Sequence, residues 1–380
     1  MFGLYEIVVL FSSILTVILV KKFTEEKSPS ICNVYKRCDA FYWPKFVIFY
    51  CIFTLLKLIN FQKQYKHFDK AQRLPKTSKA FDEVSFSCSN NSGEFIVCDV
   101  SRRGDSSVDG MMAIKLKNSR LLRTNLKSAS SNDSFKVEGI KVCPVEQGKK
   151  WKIIYDGQMK DDAGKMLPCK IDLDYSSDYP LFSYEKHANS VLFADSLARE
   201  DWSLNYFKNL QFLHQTHYEQ HGDVRGVIRI GDKTENVSLN ALRDHSFGKQ
   251  RDWSQFHRYV LHYINVDNGD KISVGSISMP IAFSNLSVGH VFEAKTGKMQ
   301  SISKSDFKLY QHGEDGVPPK DYAFTIKLGK VTYVIEVEVE EGFEYYRGNN
   351  EVKMIENSCK FRVNGRRAWG SIEWLYRHVE

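Results

Sequence analysis

From residue 80 onward, hydrophobic and polar residues alternate along many short segments of the chain. The clearest is VTYVIEVEVE (331–340), where every odd-numbered position is apolar and glutamates fill three of the even-numbered ones. A period of two predicts a strand with one buried and one solvated face. Segments with similar strand character are 94–100, 151–157, 211–219, 224–231, 258–266, 272–278, 324–328, 360–363 and 371–377.

Turn signals such as Asn268-Gly269 separate these segments, and 200–209 is the best short helix of the body. Many short strands joined by hairpins, with little helix, predict a mainly β protein built from antiparallel barrels. We divide the chain into residues 1–79, a first β domain at 80–255 and a second at 256–380.

Residues 1–79 carry a different pattern, with two apolar runs. The first, at 2–20, is long enough to span a bilayer and predicts a transmembrane helical anchor, with a cleaved signal peptide as the alternative. The second, at 46–61, is short and contains Lys57. It fits either a second span or a helix lying in the membrane interface, and spacing does not decide between them.

The charge of the chain is concentrated beside these runs. Residues 1–80 hold thirteen Lys/Arg and five Asp/Glu, a balance of +8, so the total of +7 leaves about −1 for the remainder. This distribution favours a membrane surface as partner and argues against a nucleic acid. Six basic residues at 63–79 predict a cytosolic body by the positive-inside tendency, on an endomembrane such as the endoplasmic reticulum.

The densest run of functional side chains is LRDHSFGKQRDW, residues 242–253. If its first half is a strand, Arg243 and His245 share one face and Asp244 lies on the other. Two Arg–Asp pairs are expected to staple this corner, with Arg243 and Arg251 bonding the carboxylate of Asp244 or Asp252.

The same run offers a candidate catalytic group. His245 could face a pocket and act as a general acid near neutral pH, and Trp253 and Tyr259 could then flank a developing cation. The alternative is that His245 is a satisfied polar residue of a structural corner.

A second group, HQTHYEQHG (214–222), lies about thirty residues upstream. Strand alternation places Tyr218 on one face and His217 and Glu219 on the other. Tyr218 and Glu219 are candidate polar groups of a ligand cavity. Because alternation splits the histidines, we predict no metal, although His217 and Glu219 with a distant third ligand stay possible. Nucleotide-binding, dinucleotide-binding, nucleophile-elbow and zincin motifs are absent, and no cofactor is predicted.

Several stretches carry a family resemblance. HQTHYEQHGDVRGVIRIG, RDHSFGKQRDW, HRYVLHYIN and the closing GSIEWLYR resemble a module of animal phosphoenolpyruvate-synthase-like proteins, without their kinase domains. More remotely, the His-Ser-x-Gly strip and the final Glu-Trp strand are similar to the tandem lipocalin-like superfamily of carotenoid hydratases, AttH-type proteins, survival-factor lipid binders and Diels–Alder cyclases. That resemblance implies two lipocalin-like barrels with an apolar cavity, and His245 at the position of the proton donor.

Three functions follow from these observations. The first is a membrane-anchored binder or carrier of a hydrophobic small molecule, a lipid or isoprenoid, in a barrel cavity. The second is a hydratase-, isomerase- or cyclase-type enzyme that uses His245 as proton donor. The third is a non-catalytic structural membrane protein, which a filled barrel interior would favour.

Overall fold

The computed structural model describes residues 28–61, 68–117, 119–129 and 134–378. The anchor helix predicted at 2–20 lies outside these ranges. The described helices are α1 (Tyr42–Phe61), α2 (Tyr184–His187), α3 (Ser190–Ala198) and α4 (Leu204–Leu213). Asn189 and Ser203 cap α3 and α4, since their side chains accept hydrogen bonds from the backbone N–H of Val191 and Tyr206.

The first eleven strands form one antiparallel sheet. They are β1 (Phe81–Ser89), β2 (Phe95–Arg103), β3 (Ser107–Lys115), β4 (Leu122–Ala129), β5 (Phe135–Val137), β6 (Ile140–Glu146), β7 (Lys150–Asp161), β8 (Met166–Ser176), β9 (Phe182–Ser183), β10 (Gln215–Ile230) and β11 (Lys233–Gly248). The order β4-β3-β2-β1-β11-β10-β8-β7 closes on itself because β4 also pairs with β7. The result is a closed eight-stranded barrel.

The remaining strands form a second, nine-stranded sheet that stays open. They are β12 (Arg258–Val266), β13 (Lys271–Met279), β14 (Phe283–Glu293), β15 (Lys298–Ser301), β16 (Lys304–Ser305), β17 (Asp321–Leu328), β18 (Val331–Arg347), β19 (Val352–Val363) and β20 (Arg366–Arg377). Mainly β architecture with two tandem barrels, the second a half-barrel, is confirmed. The predicted boundary at 255/256 falls between the two sheets and stays a prediction.

Side chains fill the interior of the first barrel. Its core includes Phe86, Phe135, Trp151 and Tyr175, each at most 2% exposed. The rings pack edge to face, with 5.3 Å between the ring centroids of Phe86 and Tyr175. The ligand cavity expected inside this barrel is therefore occupied by the protein's own side chains.

Two elements differ from their sequence-based predictions. The strand expected at 211–219 begins only at Gln215, because α4 continues to Leu213. The apolar segment 46–61 is a helix that begins earlier, at Tyr42. Among the described residues it alone has the length and apolar composition needed to cross a membrane, a property that a core helix or a signal sequence can share.

Helix α1 packs on the body along one face. Phe49 is 5% exposed, and its ring centroid lies 5.0 Å from that of Trp202. The hydroxyl of Tyr42 donates to Asp195 on α3 at 2.5 Å. The opposite face of α1 carries exposed Trp43, Leu55 and other apolar side chains.

Candidate functional site

His245 lies inside the first barrel in a buried hydrogen-bond network. Strand β11 points Arg243 and His245 inward, and both are 0% exposed. His245 Nε2 lies 2.7 Å from Asp82 Oδ1, and its Nδ1 bonds the hydroxyl of Tyr218. The other oxygen of Asp82 accepts from Arg102. Both ring nitrogens of His245 are therefore occupied by buried partners.

The segment before β1 completes this network. Asp69 is 1% exposed and accepts from Arg243 Nη1 at 2.7 Å and from the backbone N–H of Gly148 at 2.6 Å. The hydroxyl of Tyr218 also donates to the carbonyl of Phe68 at 2.5 Å. Residues 68–72 thus close one end of the barrel. We call these partners the His245 network: Asp69, Asp82, Arg102, Tyr218, Gln220, Arg243 and His245.

The arginine–aspartate pairs differ from those expected. Arg243 and Asp244 cannot pair because consecutive strand residues point to opposite faces. Arg243 bonds Asp69 instead, and Arg251 bonds Glu83 at 2.7 Å. The two aspartates have their own partners: His217 contacts Asp244, and Lys79 Nζ lies 2.5 Å from Asp252. Both arginines therefore form ion pairs, but with carboxylates from distant segments of the chain.

The outward-facing residues of the same strands form a second polar layer. Cross-strand partners share a face of a sheet. One row across β2, β1, β11 and β10 consists of Asp99, Ser85, Asp244 and Glu219. A facing row on the second sheet consists of His290, Ser273, Tyr263 and Ser371. The two barrels therefore meet with polar rows against each other.

Direct contacts join the two rows. The hydroxyls of Ser87 and Ser371 lie 2.6 Å apart, and Arg347 Nη1 lies 2.5 Å from Glu83 Oε1. We call this layer the seam, formed by Glu83, Ser85, Asp99, His217, Glu219 and Asp244 of the first barrel with Tyr259, Tyr263, Ser273, His290, Arg347, Glu356 and Glu373 of the second sheet.

Glu219 is the centre of one end of the seam. It is 0% exposed, and its Oε1 accepts from the hydroxyl of Tyr184 at 2.8 Å. Its Oε2 has no hydrogen-bond partner among the described residues and lies 3.6 Å from His290 Nδ1. Burial raises the pKa of Glu219, although the nearby His217 opposes this shift. The buried carboxyl of Glu219 therefore holds its proton more tightly than an exposed glutamate does.

The pKa values of the two histidines around Glu219 are shifted in opposite directions. Burial opposes the charge of His217, but contact with Asp244 outweighs it and raises the pKa of His217. Burial lowers the pKa of His290 to about 3, so this ring is neutral. Neither ring nitrogen of His290 has a hydrogen-bond partner in the described part of the chain. Groups whose pKa values are pushed apart in this way suit acid–base chemistry.

The other end of the seam holds a pair of buried carboxyls. Glu356 and Glu373 are cross-strand partners on β19 and β20. Burial, with the neighbouring Glu373, raises the pKa of Glu356 well above its usual range, and burial also raises that of Glu373. The hydroxyl of Tyr259 donates to Glu373. Nearby, burial raises the pKa of Asp99 to about 7 despite its contact with Arg347. This end can hold a proton near neutral pH.

The predicted site residues divide between these two regions. Tyr218 and His245 lie inside the barrel, whereas Glu219 and Tyr259 lie in the seam. Trp253, 6% exposed, packs in an apolar cluster that joins the two sheets. The wall of the barrel thus separates His245 from Trp253 and Tyr259, and the structure does not assemble the cation site expected from those three.

Sequence reasoning missed Glu356, Glu373 and His290. Glu373 lies in the closing strand, whose Glu-Trp pair carried the family resemblance but no site prediction. Glu356 and Glu373 are cross-strand neighbours at one end of the seam, whereas His290 lies at the other end. Each faces the first barrel only because the two sheets pack back to back. No local pattern signals this contact.

One group in the seam has the donor set of a metal site. One ligand atom each from His217, Glu219 and Asp244 lies within 4.8 Å of the others. The sequence indicated His217 and Glu219 as possible ligands and left the third ligand open. In the structure Asp244, on the neighbouring strand, is that third ligand. The other chemistry that the seam offers is proton transfer between carboxyl, imidazole and phenol groups.

Solved structures share this architecture. The crystal structure of a protein assigned as AttH from Nitrosomonas europaea matches with a TM-score of 0.59 and 12% identity, over 83% of this chain and 97% of that one. Kievitone hydratase from Nectria haematococca matches with a TM-score of 0.51 and 12% identity, over 83% of this chain and 94% of the hydratase. At this identity the likeness establishes the tandem lipocalin-like fold and nothing about activity.

Sequence comparisons add one match. Residues 8–376 match a protein-family model described as a family of unknown function (DUF8627). No curated protein matches the sequence at a significant level. The resemblance to phosphoenolpyruvate-synthase-like proteins has no support among these matches.

Proposed function

The chain belongs to the family of unknown function DUF8627, and we propose that it is a hydratase- or isomerase-type enzyme that acts on a hydrophobic substrate in the seam. One observation carries this proposal. Glu219 and Glu356 are buried between the barrels and Glu373 is half-buried there, all three with raised pKa values. The pKa values of the histidines beside Glu219 are shifted in opposite directions. Such an arrangement is typical of sites that donate and accept protons.

The two ends of the seam suit complementary roles. A neutral carboxyl of the Glu356–Glu373 pair donates a proton to an sp² carbon of the substrate, and the His217–Asp244 pair takes a proton from water or from the substrate. Tyr263 connects the ends, since its pKa is raised by burial and then by the nearby Glu373 and Glu219. With water as nucleophile the net result is hydration, and without it a double bond moves.

The walls of the seam favour an apolar substrate. Tyr184 stacks on His217 at 4.4 Å between ring centroids, and Phe182 stacks on His290 at 4.2 Å. These rings present flat apolar faces beside the polar groups. Proton transfer to carbon inside a dry, aromatic-lined layer avoids competition from bulk water.

The experiment uses the full chain in detergent and a panel of isoprenoid alkenes, unsaturated fatty acids and α,β-unsaturated ketones in D2O. Mass spectrometry records deuterium incorporation or addition of water. Glu373→Gln should lower turnover by roughly 100-fold, because general-acid groups typically contribute at least that factor. Glu338→Gln, at an exposed position of β18, is the matched control and should leave turnover unchanged. Wild-type turnover that survives both Glu356→Gln and Glu373→Gln contradicts the proposal.

Membrane association is the companion proposal. In α1 the apolar window Tyr42–Ile59 is only 11% buried, and on α4 Leu204, Phe207 and Phe212 are exposed. A helix that packs on the body along one face and exposes apolar side chains on the other suits the plane of a bilayer interface. The endomembrane location and the cytosolic side of the body stay predictions.

Brominated phospholipids, which quench nearby tryptophan fluorescence, test this orientation. Trp43 is 67% exposed on α1, whereas Trp369 lies on the second sheet. In vesicles that contain the full chain, Trp43→Phe should remove most of the quenchable signal and Trp369→Phe should not. Equal quenching of both variants argues against α1 in the bilayer.

A second candidate function is a non-catalytic carrier of a hydrophobic ligand. The exposed apolar surface of α1 and α4 favours it, because a carrier must exchange its ligand with a membrane. The filled first barrel moves the ligand site to the seam or to the open second sheet. Native mass spectrometry of the purified chain checks this alternative, since a carrier retains lipid and turns nothing over.

A further inference from the structure

We propose that the Glu219 end of the seam binds a divalent transition-metal ion of the Zn²⁺ class through His217, Glu219 and Asp244, with His290 on the second oxygen of Glu219. The inference deepens the proposed function and rests on the same site. With an ion held by His217 and Asp244, these two residues would no longer take the proton themselves, and the ion would supply the base instead by acidifying water. The test of the inference does not need turnover.

The ligand types and spacings suit such an ion. Imidazole nitrogen and carboxylate oxygen are ordinary ligands of Zn²⁺, with bonds of about 2.0–2.2 Å. Tetrahedral ligands at that radius lie roughly 3.3–3.5 Å from one another. His217 Nε2 lies 3.6 Å from Glu219 Oε1, and His290 Nδ1 lies 3.6 Å from Glu219 Oε2. His217, Glu219 and Asp244 have ligand atoms within 4.8 Å of one another, and His290 adjoins this group through the second oxygen of Glu219.

Unsatisfied buried atoms point to the ligand independently of that spacing. Glu219 Oε2 and both ring nitrogens of His290 lack hydrogen-bond partners among the described residues, and both side chains are 0% exposed. A buried polar atom without a partner is costly and rare in folded proteins. An ion on Glu219 that also reaches His290 would satisfy Glu219 Oε2 and one ring nitrogen of His290, which is two of these three atoms.

The charges and protonation states agree with a cation. His217, Glu219 and Asp244 offer one imidazole and two carboxyl groups, and the carboxyl groups supply the negative charge that a cation needs. In the structure a hydrogen bond joins His217 Nε2 to Asp244 Oδ2, so one proton lies between them. An incoming cation replaces that proton, which leaves for the solvent, and it also offsets the buried charge of Glu219.

An ion has a route to this site. His217 and Asp244 keep 20% and 19% of their side chains exposed, whereas Glu219 and His290 lie behind them. The hydroxyl of Tyr184 fixes one oxygen of Glu219 at 2.8 Å, so this carboxylate is held in place before any ion arrives. The group therefore combines an accessible edge with a rigid interior.

The test titrates metal into the full chain in detergent after removal of bound ions with a chelator. Calorimetry with Zn²⁺ should show one site per chain with proton release, seen as a heat that depends on the buffer. Co²⁺ in place of Zn²⁺ should give visible absorption bands. Asp244→Asn, His217→Ala and His290→Ala should each weaken binding by roughly tenfold or more.

His257→Ala is the matched control. His257 also pairs with a carboxylate, Glu314, at 2.8 Å on the second sheet, but no further ligand joins that pair in the described region. Its loss should leave the affinity and the Co²⁺ spectrum unchanged. A wild-type chain without Zn²⁺ or Co²⁺ binding, or equal affinity in all variants, overturns the inference.

Turnover distinguishes this inference from the proposed function. If the chelated chain binds no metal yet turns substrate over, and Glu373→Gln abolishes that turnover, then the metal is disproved and the enzyme stands. If one Zn²⁺ binds and the bound chain turns nothing over, the metal site stands and the enzyme proposal falls. Asp244→Asn keeps size and shape, so a thermal melt like that of the wild type shows that loss of binding is not loss of fold.

Discussion

Strands β10 and β11 contribute to two buried polar regions that differ in how well their groups are satisfied. Inside the first barrel, His245 and Arg243 have partners on each side, from Tyr218 and Asp82 to Asp69. On the outer face of the same strands, Glu219 keeps an oxygen without a hydrogen bond, opposite an unpartnered His290. Neighbouring residues of one strand thus belong to different kinds of site.

The difference indicates which buried polar groups are structural. Both ring nitrogens of His245 are paired, although the Nε groups of Arg102 and Arg243 lack hydrogen-bond partners among the described residues. A ring held by two buried partners keeps one geometry and offers no free nitrogen to a substrate. A buried layer with unpaired atoms and shifted pKa values destabilises the fold, so its presence indicates a role other than folding. On this criterion we infer that His245 serves the fold, and the seam is the site that we propose for function.

The largest predicted effect comes from breaking the His245 network. Asp82→Ala leaves Arg102 charged and His245 without its Nε2 partner inside the barrel. Removing one partner of a buried ion pair typically destabilises a protein by about 3–5 kcal/mol. Urea denaturation of the full chain in detergent should show a loss of this size.

Asp172 provides the control for that variant. It also lies on a strand of the first barrel and pairs with a lysine, Lys152, but 64% of its side chain is exposed. Asp172→Ala should unfold close to the wild-type midpoint. Equal losses for the two aspartates would mean that the network does not stabilise the barrel.

The second prediction concerns Glu219, where we expect a large loss of turnover and little loss of stability. Glu219→Gln removes a buried carboxyl that burial already disfavours, so the free energy of unfolding should change little or rise. Turnover of any panel substrate should fall by roughly 100-fold. The same sheet carries both sites, so the two variants should differ in what they affect. Asp82→Ala should lower mainly stability, and Glu219→Gln should lower mainly turnover. A destabilisation by Glu219→Gln as large as that of Asp82→Ala would remove the distinction.

The sequence predicted much of the fold and one half of the site. Period-two alternation identified most of the long strands, such as 258–266, which is β12. Alternation also predicted correctly that Tyr218 and His217 point to opposite faces. These results depend only on local geometry, which a single segment carries.

What the sequence could not predict are contacts between distant segments. The run 242–253 contains two Arg–Asp neighbours, yet Arg243 pairs with Asp69, 174 residues away. Glu373 meets the first barrel only through the packing of β20 against β1. That packing depends on how two separate sheets meet, and no spacing within one strand encodes it. The sequence neighbours of His245 therefore suggested a catalytic group, whereas in space both of its ring nitrogens bond buried partners.

A matched pair of tyrosines sharpens the comparison further. Tyr218→Phe deprives His245 of a partner inside the barrel and should destabilise the chain by about 1–3 kcal/mol, the range for an unsatisfied buried group. Tyr259→Phe removes a donor to Glu373 in the seam. There the loss of the hydrogen bond should lower turnover and affect stability less. Thermal melts and turnover measured on both variants check this, and equal destabilisation by both would contradict it.

The smallest predicted effect is a pH dependence specific to the seam. The pKa of Glu356 is raised in the folded chain above its ordinary value, chiefly by burial. A raised folded pKa means that the group stabilises the fold fully below its unfolded pKa and loses this contribution as pH rises. Burial acts oppositely on His290, whose lowered pKa reduces stability as pH falls below its ordinary range. The wild-type curve therefore combines two opposite slopes.

Glu356→Gln isolates the first of them. The difference in unfolding free energy between variant and wild type should move in favour of the variant from pH 5 to 8, by at most about 1.4 kcal/mol per pH unit. Glu338→Gln, exposed on β18, should show no such trend. A flat difference for Glu356→Gln would mean that this carboxyl already ionises normally in the folded chain, and the seam would then lose its proton donor. If the stability difference between variant and wild type rises with pH, the free-energy cost of ionising a buried carboxyl lies in the same Glu356–Glu373 pair that we propose for proton transfer.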